Sequence, residues 1–169
     1  SALPRSDKNS LLYPKIFPRA GSSADVIDYT ATNRDKEKLK EHFETHGESD
    51  YAVRRNILIM EIAETVGWRQ GSIQSLLIDS FADERIDDCD IDFLAVQPPN
   101  QKYGYHYEFE VPLALALRIN RHIKSDRANF LTSKGLKEKT AKNHLFISST
   151  SGKPLAEMTI TEIFSKAFT

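Results

Sequence analysis

Few side chains in this sequence have both the chemical type and the setting for a functional role, and Arg69 is the most conspicuous. It closes the run Gly67-Trp68-Arg69, where glycine is expected to end one helix before a second helix begins. An arginine stays charged and offers a planar fork to two oxygen atoms of a phosphate. The alternative is that this arginine only compensates the dipole of the preceding helix. Trp68 is expected to pack inside the corner.

Other catalytic arrangements fail on their spacing. The pair Gly152-Lys153 lacks the upstream glycine and the following serine or threonine of a phosphate-binding loop. Of the five histidines, only His42 and His46 have a metal-like spacing, and no third ligand accompanies them. The single cysteine, Cys89, lies among aspartates that disfavour its thiolate. We therefore expect no metal, no cofactor, and a reducing, cytoplasmic compartment.

The charge of the chain is unevenly distributed. The net charge of -1 argues against a nucleic-acid partner, which normally meets a basic surplus. Seven acids and one arginine, however, fall between Asp79 and Asp92; removing them leaves 23 − 1 = 22 basic against 24 − 7 = 17 acidic residues. The rest of the chain is thus mildly basic. No apolar run approaches the roughly 20 residues of a membrane span, so no membrane partner is expected.

Helix signals dominate the first half of the sequence. Residues 1–31 carry scattered prolines without a period and are predicted to form an arm or linker. A capping box at Thr32 and Asp35 predicts a helix from Arg34 to about His46, whose charged face is either solvated or lies along DNA phosphates. An apolar stripe then predicts a helix over about 51–66. A shorter helix is predicted over 70–78.

The second half mixes strands and helices. Alternating patterns over 91–96 and 105–111, with prolines and glycine between them, predict a β-hairpin. A helix is predicted over 112–124, followed by a long polar loop with a short helix over 125–143. A capping box from Thr159 to Glu162 predicts a last helix whose apolar face needs a partner. The expected fold class is therefore α+β, mainly helical with a small antiparallel β-sheet, in one domain over 32–169.

The order of these segments resembles the catalytic domain of the tyrosine recombinases, the phage-integrase type. The run Thr65-Val66-Gly67-Trp68-Arg69 is similar to that family's Thr-Gly-apolar-Arg corner. Val111-Pro112-Leu113 matches its Val-Pro-Leu at the start of the next helix. Leu145-Phe146 and Gly152-Lys153-Pro154-Leu155 are similar to its later Leu-Phe and Gly-x-Pro-Leu segments. The resemblance spans roughly 32–169.

The resemblance implies a chemistry and two site residues. In this family a tyrosine hydroxyl attacks a DNA phosphodiester and forms a phosphotyrosine link, without a metal. It implies that Arg69 is the first catalytic arginine, which neutralises charge on the phosphate. It implies that Lys102, the lysine of the hairpin turn, is the general acid for the leaving 5′ oxygen. Its partners would be double-stranded DNA and other recombinase protomers, in site-specific integration or excision, with a bacterial, phage or mobile-element origin.

The sequence also departs from that family's pattern. Ser72 stands where an acidic residue is usual, and the hairpin reads Gln101-Lys102-Tyr103-Gly104 instead of Gly-Lys-Gly. No histidine is followed three residues later by arginine, and no tyrosine follows Tyr107. The resemblance therefore implies the N-terminal part of a catalytic domain, inactive by itself. The alternatives are a non-catalytic helix-turn-helix regulator that reads DNA with residues 70–78, or a protein-interaction domain without a DNA role.

Overall fold

A computed structural model of the protein describes residues 32–89 and 92–167, so the predicted arm 1–31 and the Ile91 end of the first strand lie outside the described residues. The described helices are α1 (Asn33–His46), α2 (Asp50–Val66), α3 (Gln70–Gln74), α4 (Asp83–Asp87), α5 (Leu113–His122), α6 (Ala128–Ser133), α7 (Glu138–Ala141) and α8 (Glu157–Ala167). The strands are β1 (Phe93–Val96) and β2 (Phe109–Pro112). The predicted class, α+β and mainly helical with a small antiparallel sheet, is confirmed.

Local capping fixes the ends of the first two helices as the sequence predicts. The Thr32 hydroxyl accepts from the Asp35 N–H at 3.2 Å, and the Asp35 carboxylate accepts from the Thr32 N–H at 2.9 Å. Ser49 caps α2 by accepting from the Ala52 N–H at 3.2 Å. Gly67 ends α2 in the left-handed conformation, with φ 73°, which glycine adopts without steric cost.

The core is built around α2. Leu58, Ile59 and Ile62 of this helix are buried, and Phe43 of α1 meets Phe164 of α8 edge to face at 5.2 Å between ring centroids. Helix α8 also contacts α3, so its apolar face is covered by the chain itself. The partner that this face was predicted to need is thus supplied by the chain itself, and Ile160 and Phe164 are buried. Burial of these side chains is the main source of stability.

The predicted hairpin forms, but its second strand is shorter than expected. Strands β1 and β2 pair antiparallel from Phe93↔Pro112 to Val96↔Phe109. The stretch 105–108, predicted as strand, does not belong to β2. Pro98 and Pro99 face it across the loop and have no backbone N–H to donate to a ladder. The connection is therefore a long loop over 97–108, which we call the hairpin loop.

The stretch 125–143, predicted as a long polar loop with a short helix, is largely helical. Helix α5 continues through a π-helical turn at Ile123–Arg127 into α6, and α7 follows. The inward positions of this continuation are Arg127, Phe130 and Leu131, all of which are buried. A buried arginine looks like a solvent-facing residue in a sequence pattern, which is why the helix was missed.

Two further helix limits differ from expectation. Helix α3 ends at Gln74, because the following backbone pairs with residues 143–145: the Leu145 N–H donates to Leu76 O at 2.8 Å. Helix α8 begins at Glu157, so Thr159 lies inside the helix and is not its N-cap. None of the described helices combines the length and the apolar character needed to cross a bilayer.

Candidate functional site

Arg69 lies where the sequence places it, in the turn between α2 and α3. After the left-handed Gly67 the chain extends through Arg69, with φ −71° and ψ 156°, before α3 starts. Helix α3 has only five residues, so its dipole adds little positive potential at the corner. Whatever Arg69 binds, it must therefore bind mainly through its own guanidinium group.

Trp68 anchors this corner to the sheet. Its side chain is buried, as predicted, and meets the Phe109 ring edge to face at 5.8 Å between centroids. Phe109 is the first residue of β2, directly after the hairpin loop. The packing of these two rings fixes the position of Arg69 relative to the end of the loop.

The Arg69 guanidinium has an unmet donor. The residue is half-buried, and its Nη2 atom is covered yet has no hydrogen-bond acceptor among residues 32–89 and 92–167. A covered donor without an acceptor costs about 1–3 kcal/mol. An anion reaches Nη2 only if the side chains that cover it shift. A phosphate oxygen placed there would satisfy this donor.

The hairpin loop is docked onto α3 by a chain of hydrogen bonds around Asn100. The Ser72 hydroxyl donates to the Asn100 carbonyl at 2.8 Å, and the Asn100 N–H donates to the Ser75 hydroxyl at 3.0 Å. Ser75 in turn donates to the Ser72 carbonyl at 2.9 Å. A Cβ at Gly71 would approach Asn100 Nδ2 to 3.3 Å, so glycine permits this close contact. The segment that carries Lys102 is thus attached to the helix that follows Arg69.

Gln101 closes the neck of the loop. Its buried side-chain amide donates to the Tyr107 carbonyl at 2.8 Å and accepts from the Tyr107 N–H at 3.0 Å. These two bonds replace the strand pairing that the loop lacks. Sequence reasoning missed Asn100 and Gln101 as positioning residues. The only hint in the sequence is that these two amide side chains lie between two prolines and a lysine. Such a sequence is common in turns and does not by itself indicate a positioning role.

Lys102 begins the turn at the tip of the loop. Tyr103 and Gly104 both have positive φ, 60° and 68°, and the Tyr105 N–H donates to Lys102 O at 3.3 Å. Positive φ at both central residues is the pattern of a type I′ turn. The Lys102 ammonium lies 4.6 Å from the centroid of the Tyr103 ring, a cation–π contact. The lysine is half-buried.

Arg69 at the corner and Lys102 at the loop tip are the two cations of the candidate site. In the part of the chain that the structure describes, no carboxylate lies within ion-pair distance of Arg69 or Lys102. Part of the acidic stretch is neutralised elsewhere: Asp83 accepts from Lys124 at 2.5 Å, and this hydrogen bond lowers the pKa of the Asp83 carboxyl. Asn120 also donates to Asp83, at 3.0 Å.

The opposite side of α3 is occupied by α8 and the segment before it. Gln70, which is buried, accepts from the Thr161 hydroxyl of α8. Gln74 donates to the Leu155 carbonyl at 2.8 Å, and Ile73 is fully buried. The polar side chains that could have touched DNA bases from α3 are therefore engaged within the chain.

A second group of polar residues lies between α2 and the α5–α6 segment. We call Tyr51, Arg55, His122 and Arg127 the polar cluster; all four are buried. Tyr51 stacks on the His122 ring at 5.7 Å between centroids, and the Asp126 carboxylate lies 3.2 Å from His122 Nδ1. The cluster borders an open cavity of about 680 Å³. No inference from the sequence singled out these residues.

A metal-binding arrangement or a related protein would narrow the identity of the site. In the described ranges no group of three or more histidine, cysteine or acidic side chains is arranged to hold a metal ion. His42 and His46 instead stack on each other at 4.7 Å between ring centroids. Comparison of the chain with protein-family models, with curated proteins and with solved structures gives no match.

Proposed function

We propose that this chain belongs to a DNA strand-exchange enzyme of the tyrosine recombinase type, in which Arg69 and Lys102 engage one DNA phosphate. The observation that carries the proposal is the pairing of an unmet guanidinium donor at Arg69 with a lysine loop docked on the adjacent helix α3. The proposal also rests on the sequence resemblance, which runs in the same order through Val111-Pro112 and Gly152–Leu155.

The chemistry of that family explains why two cations are needed. The tyrosine oxygen bonds to phosphorus, the bond from phosphorus to the 5′ oxygen breaks, and negative charge builds up on the non-bridging oxygens. Arg69 would bind these oxygens through its fork, and a phosphate would supply the acceptor that Nη2 lacks. Lys102 would donate a proton to the leaving 5′ oxygen. Neither role requires a metal ion.

The roles of the surrounding residues follow from their contacts. Trp68 holds the Arg69 turn against β2, and the Ser72–Asn100 hydrogen bond holds the loop of Lys102 against α3. Ser72 thus supplies a loop contact at the position where the family has an acidic side chain. Such support matters because a displacement of about 1 Å in a reacting group lowers rates strongly.

The regulator alternative has weaker support. A recognition helix presents several side chains to the major groove. Helix α3 spans only Gln70–Gln74, and its Gln70 and Gln74 side chains bind α8 and the Leu155 carbonyl. A reading of bases by this helix would require those contacts to break. Contact with the DNA backbone leaves those contacts in place and requires only that the side chains covering Arg69 Nη2 shift.

The test is the salt dependence of binding to a short DNA duplex, measured by fluorescence anisotropy between about 50 and 200 mM salt. Each phosphate contact contributes roughly 0.9 to the slope of log affinity against log salt. We expect Arg69→Ala and Lys102→Ala each to reduce the slope by about one contact. Arg121→Ala and Lys134→Ala, which remove exposed cations, are the matched controls.

The results separate the proposal from its rivals. A slope for Arg69→Ala equal to that of Arg121→Ala would remove the phosphate role from the corner. The absence of measurable duplex binding by the unmodified chain, at low salt and micromolar concentration, would favour a protein-interaction domain instead. A loss that depends on the DNA sequence would favour the regulator.

A further inference from the structure

Three tyrosine rings lie side by side on the outside of the hairpin loop. Tyr103, Tyr105 and Tyr107 are 77%, 49% and 60% exposed. Their ring centroids are 5.9 Å apart from Tyr103 to Tyr105 and 5.1 Å apart from Tyr105 to Tyr107. We call these three rings the tyrosine face. A contiguous exposed patch of large apolar side chains is a candidate interaction surface.

The backbone at the tip holds the first ring outward at a conformational cost. Tyr103 has φ 60°, a left-handed conformation that is unusual for a bulky residue and favours glycine or asparagine. The ring gains little burial in return, since it remains 77% exposed. Strained residues of this kind concentrate at binding and catalytic sites. The type I′ turn accounts for the positive φ at this position, but it does not require a bulky aromatic side chain there, which suits a residue kept for a ligand.

The loop beneath the rings is held in place before any ligand arrives. Gln101 bonds to both backbone groups of Tyr107, and Asn100 is fixed to α3 through Ser72 and Ser75. A ring carried on such a support loses little conformational entropy on binding, because its backbone is already ordered. The tyrosine face is thus a preformed platform.

The composition of the loop indicates the chemistry of the ligand. Lys102 lies over the first ring, and the loop residues 97–108 contain a single carboxylate, Glu108. Rings beside a cation fit a ligand in which flat, apolar groups alternate with negative charges. Nucleic-acid strands have this composition, since each base is followed by a phosphate.

Ring faces further distinguish unpaired from paired DNA. A duplex stacks its bases on one another and presents only their edges in the grooves. An unpaired base exposes its π-face, which stacks on an aromatic side chain whatever the base. We infer that the tyrosine face binds bases of an unpaired DNA strand next to the duplex that Arg69 and Lys102 contact. This inference rests on the proposed function for its location beside the cleavage phosphate.

The test compares, by fluorescence anisotropy, two DNAs that share the same labelled strand. The second strand is fully complementary in one DNA and is mismatched over a short internal segment in the other. We expect Tyr105→Leu and Tyr107→Leu each to weaken binding to the unpaired DNA by about fivefold or more. Binding to the paired DNA should change less than about twofold. Tyr105→Phe and Tyr107→Phe keep the ring and are expected to retain the preference. Because these side chains are exposed, their replacement should leave the fold intact, and circular dichroism of each variant checks this.

Each outcome has a definite meaning. Leucine variants that bind unpaired DNA as the unmodified chain does, or phenylalanine variants that lose as much as leucine, would overturn the inference. A change in self-association by sedimentation without a change in DNA binding would identify the face as a contact between copies and would also overturn it.

The inference and the proposed function fail separately. The salt slope of Arg69→Ala on paired DNA tests the phosphate site alone. The ratio of unpaired to paired affinity in the tyrosine variants tests the face alone. Glu108→Gln gives a smaller check, because removing the single loop carboxylate should strengthen binding to unpaired DNA.

Discussion

Among the described residues, two regions of this molecule hold buried or half-buried arginine side chains, and they differ in whether the arginine donors have acceptors. In the polar cluster, Arg55 donates to the Ile147 carbonyl at 2.9 Å and to the Asn56 amide oxygen through its other nitrogens. Arg127 donates to the His144 carbonyl at 2.9 Å and to both carboxylate oxygens of Glu138. At the corner, the Nη2 of Arg69 donates to no described acceptor.

The arginines differ both in depth and in the satisfaction of their donors. Arg55 and Arg127 are buried, whereas Arg69 is only half-buried. Buried cations persist in folded proteins when every donor has a partner, because the lost hydration is replaced. Burial lowers the pKa of the Arg55 guanidinium, but its complete set of partners keeps it in place. The arginine with a donor left over is the one that gains a hydrogen bond from a ligand, once the side chains that cover its Nη2 shift.

The largest expected effect concerns the satisfied arginine of the α5–α6 segment. Arg127→Met should lower the free energy of unfolding by about 3 kcal/mol or more, because it removes a buried cation and leaves its acceptors without a donor. We expect a loss of about 3 kcal/mol, because the Glu138 side chain is 41% exposed and is hydrated again once the arginine is gone. Urea unfolding measures it, with the exposed Arg121→Met as the control. A loss no larger than that control would show that the bonds to Glu138 and His144 contribute little.

The second effect is the pH dependence of the polar cluster. Burial lowers the pKa of His122 to about 4 from 6.5, although the nearby Asp126 carboxylate opposes this shift. Arg55 and Arg127 also face the ring, and their charges lower its pKa further. The folded His122 stays neutral while the unfolded chain takes up a proton below about pH 6.5, so acid favours unfolding.

The contribution of neutral His122 to the free energy of unfolding is thus fully present above about pH 6.5 and is lost as the pH falls towards 4. The loss over that window is about 3 kcal/mol, and His122→Gln should remove most of it. Unfolding curves at several pH values measure the slope. Replacement of the exposed His46 by glutamine should leave it unchanged. An equal slope in His122→Gln and the unmodified chain would refute the assignment.

The smallest effect on stability is expected at the corner. Arg69→Met removes the donor that lacks an acceptor and keeps the apolar stem, so stability should stay constant or rise by up to about 1 kcal/mol. The same urea titration measures it beside Arg127→Met. Destabilisation of Arg69→Met comparable to that of Arg127→Met would place Arg69 among the structural arginines and remove the contrast.

Local signals in the sequence account for much of the fold. The Thr32–Asp35 capping box and the left-handed Gly67 depend on residues a few positions apart, and both form as predicted. The strand pairing at Phe93↔Pro112 follows from alternation and an intervening turn. The same locality explains the failures: Thr159 and Glu162 suit a helix start, but α8 begins earlier, at Glu157.

For the candidate site too, the sequence supplies one part and the tertiary structure the other. Arg69 and Lys102 are selected by residue type and by resemblance, and their DNA roles stay predictions. Asn100 is bound by Ser75 and Ser72, 25 and 28 positions away, through contacts that no short pattern encodes. Gln101 binds Tyr107, 6 positions away. The tyrosine face also needed the structure, because an alternating Tyr105–Tyr107 pattern reads as a half-buried strand in the sequence.

The sequence by itself determined the caps of α1 and α2, the position of the corner and the small antiparallel sheet, because these depend on neighbouring residues. Only the tertiary structure decided which arginine keeps an unmet donor, since Arg55, Arg69 and Arg127 are chemically identical along the chain. Their partners, such as Ile147 and Glu138, come from distant segments. A hydrogen-bond donor is satisfied or left over according to what folding brings beside it.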